Sequence, residues 1–179
     1  MLTNQANQYG VVQIALHWLI ALTIFGLFGL GLWMVELTYY SSWYLTAPDI
    51  HRSIGVIVVS LMILRLLWRL ANPKVVPLAT HKTWERKLAH VTHALMYVLI
   101  LLLGISGYMI TTAKGQALQV FDWFSIPAIS FGIEYQEDIA GDLHEIFAWS
   151  LIGLAVLHIA GALKHHFVVR DNTLKRMLP

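Results

Sequence analysis

Four long apolar runs divide this chain, at roughly residues 11–37, 49–70, 88–112 and 141–168. Each provides the ~20 residues that a helix needs to cross a hydrocarbon core about 30 Å thick. The remaining composition leaves little for a water-facing surface: 58% of residues are hydrophobic, 12% are charged, and the mean hydropathy is +0.64. The expected fold is therefore all-α, one integral membrane four-helix bundle formed by residues 1–179 as a single domain. The first run far exceeds a signal-peptide core and lacks a convincing cleavage site, so it is expected to remain as a span. No nucleic-acid module or phosphate-binding glycine loop is present, so the expected surroundings are membrane lipid.

Charge sets the expected orientation. With four spans, both termini and the middle loop share one side, and that side carries ten of the twelve Lys and Arg residues. Only Arg52 and Lys114 lie opposite, together with eight of the ten acids. The positive-inside rule then places both termini in the cytoplasm of a multi-pass protein. The segment 72–87, with Pro73 and Pro77, is expected to be a loop. Between residues 113 and 140, Val120, Phe121, Trp123, Phe124 and Ile126 are expected to form a helix lying on the membrane surface and ended by Pro127.

Nine histidines and no cysteine define the chemistry within this frame. His144 and His158 are fourteen residues apart on the fourth run, which is about 40° short of four full turns and about 21 Å along the axis. Both rings therefore look out from one face at opposite depths, as two stacked metal centres would require. Ionisable groups inside a bilayer are costly and mark functional sites. Without cysteine there can be no thiolate ligand, iron–sulfur cluster or thioether-linked haem, so any haem must be noncovalent. A structural zinc site, with its four closely spaced and often thiolate ligands, is not apparent.

Sorting by depth leaves His51 and His144 as the only outer histidines, hence the only bis-histidine pair for that side. On the inner side His17 and His158 are preferred on depth, but His93 is nearly as deep and stays open as a ligand. His90 should lie at the interface, where a haem propionate or a quinone headgroup would be found. His81, His165 and His166 are expected close to water, the last two as interfacial anchors. Arg65 and Arg69 read first as cations snorkelling to lipid phosphate and second as propionate partners. Arg52, beside His51, and Lys114 are the outer cations that could attract an anion such as superoxide, or else contact a propionate or lipid. Glu145 projects about 100° away from its neighbour His144 and is a poor partner for it.

The residues that carry these assignments are Ile14-Ala15-Leu16-His17-Trp18-Leu19, Ile50-His51, Leu88-Ala89-His90-Val91-Thr92-His93, Leu143-His144-Glu145 and Leu157-His158. With Lys164-His165-His166-Phe167 and Asp171-Asn172-Thr173-Leu174-Lys175-Arg176-Met177, they resemble the bacterial cytochrome b561 family, in order, over essentially the whole chain. The resemblance implies two b-type haems in the bacterial inner membrane, held by His17 and His158 on the cytoplasmic side and by His51 and His144 on the periplasmic side. That choice resolves the inner ambiguity against His93. A well-known member resembling this chain oxidises superoxide and passes the electron to ubiquinone, which makes an oxidoreductase using quinone the expected function. The alternative is a haem-bearing anchor subunit relaying electrons between a partner dehydrogenase and quinone; a haem-free packing or transport protein is a third reading. The segment 113–140 is the least matched.

Overall fold

The computed structural model describes residues 1–178. Four helices carry the chain back and forth: α1 (Val11–Met34), α2 (Thr46–Ala71), α3 (Thr83–Thr112) and α4 (Gln136–Lys164). All four are long and apolar enough to cross a membrane. Their outward faces explain why they need lipid: Leu22 and Leu157 are each 67% exposed, and such side chains recur along every helix. A water-soluble bundle would bury that stripe. The fold is an all-α membrane four-helix bundle.

Three helices begin earlier than hydropathy alone indicates, because their first turns use polar chemistry. α2 includes Pro48 in its first turn, where the missing N–H is one of four that have no helical partner in any case. In α3 the Glu85 carboxylate accepts the Lys82 backbone N–H at 2.9 Å, closing the N-terminus. α4 starts with Glu137 and Asp138 in its first turn, where the positive end of the helix dipole favours acids. α1 ends at Met34, and residues beyond it form turns.

The helices pack as two antiparallel pairs, α1 with α2 and α3 with α4, joined through α2 and α3. Ile20, Val58, Met62, Ile100 and Leu151, contributed by all four helices, form a buried apolar centre. Contact between α2 and α3 depends on Gly104, since a Cβ there would lie 2.8 Å from Val59 Cγ2. Val59 is β-branched and has little rotamer freedom in a helix. We expect Gly104→Ala to cost about 1–3 kcal/mol through overpacking, read as a lowered unfolding temperature of the detergent-solubilised protein.

At one end lie both termini and the α2–α3 connection, tied together by backbone and side-chain bonds. Asn4 Nδ2 donates to Pro73 O at 3.1 Å and the Val76 N–H to Ala6 O at 2.8 Å. Arg176 donates to Val76 O at 2.8 Å, and Trp18 Nε1 to Met177 O at 2.6 Å. Gly10 fits this cap because it has no side chain; a Cβ would lie 2.3 Å from Leu2 O.

The opposite end corrects one expectation. The segment expected as a surface helix forms an antiparallel hairpin, β1 (Leu118–Val120) and β2 (Phe124–Ile126), with Leu118 opposite Ile126 and Val120 opposite Phe124. Its turn holds Phe121 in the left-handed region, at φ 46°. The cause is tertiary: the Phe121 N–H donates to buried Ser53 Oγ at 2.9 Å, and β1 packs on α2 with Leu118 and Val120 buried. A surface helix would leave both apolar side chains without that cover.

Candidate functional site

Two histidine pairs occupy opposite ends of the bundle, on either side of its apolar centre. The rings of His51 (α2) and His144 (α4) have centroids 6.1 Å apart at the hairpin end. At the terminal end His17 (α1) and His158 (α4) are 6.3 Å apart. An iron between two imidazoles, with bonds of about 2.0 Å and ring centres roughly 1.2 Å further out, calls for about 6.4 Å. The angle between the ring planes is free, because each ring can turn about its bond to the metal. His93 lies 5.0 Å from His158, too close for the two to oppose each other across one ion. His90 is on an exposed face of α3, outside the cavity that His93 lines.

The His144 ring is oriented by a residue that sequence reasoning passed over. Ser106 Oγ lies 2.8 Å from Leu102 O and 3.0 Å from His144 Nδ1. The single hydroxyl proton is directed to the helix carbonyl, so the oxygen accepts a hydrogen bond from His144 Nδ1–H. Nε2 is then the unprotonated nitrogen, the tautomer that a metal ligand bound through Nε2 requires. The signal in the sequence was a buried hydroxyl in the middle of an apolar span. Glycines make room on both sides: a Cβ at Gly31 would lie 3.3 Å from His51 Cε1, and one at Gly107 would lie 3.4 Å from His144 Cε1.

The inner site has a cavity lined by His17, His93 and His158 with Met62, Arg65 and Tyr97. Arg65 lies against this cavity. Its guanidinium lies 5.8 Å from the Tyr97 ring centre, and both Arg65 Nε and the Tyr97 hydroxyl are buried without a hydrogen-bond partner among the described residues. Two buried donors facing one cavity call for an anionic acceptor there, since unpaired burial is costly. A haem would supply this through its propionates, and the His17–His158 pair would suit its iron. The donor set therefore fits the group.

Arg52 and Lys114 differ from the free outer cations that superoxide steering needs. Arg52 pairs with Asp49, one turn away, and Lys114 Nζ lies 2.7 Å from Glu137. Hydrogen bonding to Glu137 raises the Lys114 pKa, so the ammonium is held charged but matched. Arg52 keeps a buried Nε with no partner among the described residues, next to His51.

His81 and His165 come together: their rings lie 4.4 Å apart beside Asp171, whose side chain is 4% exposed.

Comparison with known proteins places this geometry. The family described as prokaryotic cytochrome b561 matches residues 8–179. The chain belongs to the prokaryotic cytochrome b561 family. It is 46% identical over 176 residues to "Cytochrome b561 homolog 2" of Escherichia coli (strain K12), covering 98% of this chain and 94% of that protein. It is 30% identical to "Cytochrome b561 homolog 1" of the same organism, over 97% and 98% of the two chains. It is 31% identical to "Probable superoxide oxidase CybB" of Yersinia pestis, over 97% of each. Membership of the cytochrome b561 family makes this a bacterial membrane protein of electron transfer and implies haem b as its cofactor.

Proposed function

We propose that this cytochrome b561 carries two b haems, one held by His17 and His158 and the other by His51 and His144, and moves single electrons across the inner membrane between a small donor and the quinone pool. The observation that carries the reading is the pair of imidazole couples, 6.3 and 6.1 Å apart, at opposite ends of one apolar centre. Haem bound between such histidines supplies one-electron redox chemistry with no open iron position. Residues of the chain do the rest. Ser106 fixes the tautomer of His144, Arg65 and Tyr97 offer charge and hydrogen bonds to inner propionates, and Arg52 Nε offers the same at the outer site. The excess of Lys and Arg at the terminal end supports a cytoplasmic location for both termini.

Superoxide is the donor suggested by the printed name of the Yersinia relative. At the hairpin end Arg52 and Lys114 are matched by Asp49 and Glu137, so the remaining acids dominate. An anion approaching such a face is repelled, and salt screens the repulsion. Superoxide generated beside the purified protein in vesicles containing ubiquinone is therefore expected to reduce haem and then quinone, at a rate that rises with ionic strength. No superoxide-dependent reduction would remove superoxide as donor. Quinone reduction only with a co-purifying dehydrogenase would make the chain an anchor subunit.

A further inference from the structure

A second cluster of metal-ligating side chains lies at the terminal end, separate from both histidine pairs. His81 comes from the α2–α3 connection. His165 opens the single π-helical turn, His165–Val169, that continues α4, and Asp171 follows that turn. Arg170, in the left-handed region at φ 59°, reverses the chain so that the Asp171 N–H returns to His165 O at 3.1 Å. Asp171 Oδ2 then lies 3.0 Å from His165 Nδ1 and 3.4 Å from His81 Nε2. One ligand atom from each residue falls within 4.8 Å of the others.

From these positions we propose that His81, His165 and Asp171 form a site for a divalent transition-metal ion of the zinc class. Tetrahedral ligands about 2.0–2.2 Å from zinc stand about 3.3–3.6 Å apart. Of the two spacings to Asp171, that of His81 (3.4 Å) falls within the range and that of His165 (3.0 Å) lies about 0.3 Å below it. Two neutral imidazoles and one carboxylate are zinc-type donors, and a fourth position remains for water. Asp171 Oδ2 accepts from Thr80 Oγ1 at 3.0 Å and lies 3.0 Å from His165 Nδ1, while His81 Nε2, 3.4 Å away, is 2.9 Å from Thr173 Oγ1. An ion at the centre would draw His81 Nε2 from Thr173 and His165 Nδ1 from the carboxylate into bonds of its own. Thr173 holds the other carboxylate oxygen through its backbone N–H at 2.9 Å, fixing the plane of the carboxylate. The side chains are 21%, 12% and 4% exposed in the order His81, His165, Asp171, so the cluster is shielded yet reachable from water. Its ligands are about 90 residues apart in the chain, from His81 to Asp171. Filling it would clamp the C-terminal tail to the α2–α3 connection.

The test uses haem-loaded protein in detergent, so that the haem histidines are occupied. After chelator treatment it is dialysed against micromolar zinc, and bound zinc is counted by mass spectrometry. One zinc per chain is expected, with affinity at least tenfold weaker in both His81→Gln and Asp171→Asn, an unchanged haem spectrum, and full binding by His166→Gln. Zinc that is not retained by the wild type, or that survives His81→Gln, overturns the proposal. His81→Gln is decisive if Asp171→Asn unfolds the tail, because it removes one imidazole from a connection and leaves the carboxylate's bonds to Thr80, His165 and Thr173 in place.

Discussion

His158→Ala is expected to lower bound haem from two per polypeptide to one, leaving the outer pair, His51 and His144 at 6.1 Å, with its haem. His93→Ala is expected to leave both. The contrast follows from spacing: His17 and His158 are 6.3 Å apart, and His93 and His158 are 5.0 Å apart. A single histidine cannot sustain six-coordination, so removal of His158 would leave the proposed inner haem with one of its two histidine ligands. His51→Ala should give the mirror result, losing the outer centre and sparing the inner one. Pyridine haemochrome stoichiometry and reduced-minus-oxidised spectra measure both outcomes. Loss of a haem in His93→Ala with retention in His17→Ala would reassign the inner ligand.

Arg65→Met should weaken the inner haem more than any substitution outside the four ligands. Arg65 is half-buried, with a buried and unpaired Nε, and the neighbouring Tyr97 hydroxyl also lacks a partner among the described residues. With a propionate between them, removing the guanidinium strands a buried carboxylate, which costs about 3–5 kcal/mol. Since each 1.4 kcal/mol is tenfold, haem affinity should fall by roughly 100-fold or more. Withdrawing a positive charge also disfavours the reduced iron, so the inner midpoint potential should drop. Haem transfer to a scavenging apoprotein and a redox titration read the two effects. Arg65→Lys should recover part of the potential, which follows charge, and less of the affinity, which follows the planar two-pronged donor. An unchanged transfer rate in Arg65→Met would return Arg65 to the role of a lipid contact.

Four spans were legible in the chain because hydropathy is a local quantity. The matched azimuth of His144 and His158 needed only their fourteen-residue spacing. Helix starts at Thr46, Thr83 and Gln136 were less legible, because polar first turns lie outside the hydrocarbon and carry no hydropathic signal. Depth alone also left His17 and His93 competing for His158; the ring distances, 6.3 and 5.0 Å, favour His17 in the proposed pairing.

What the sequence determined by itself is the element type, since a long apolar run in lipid has to satisfy its own peptide groups and becomes a helix. Tertiary structure decided where polar atoms find partners. Ser106 reaches His144 across 38 residues of chain, and His81 reaches the neighbourhood of Asp171 only after two helices have been traversed. The apolar stretch around Val120 became a hairpin because α2 offered Ser53 and a surface that buries β1. Contacts of this kind depend on packing between distant segments, and no local pattern encodes them.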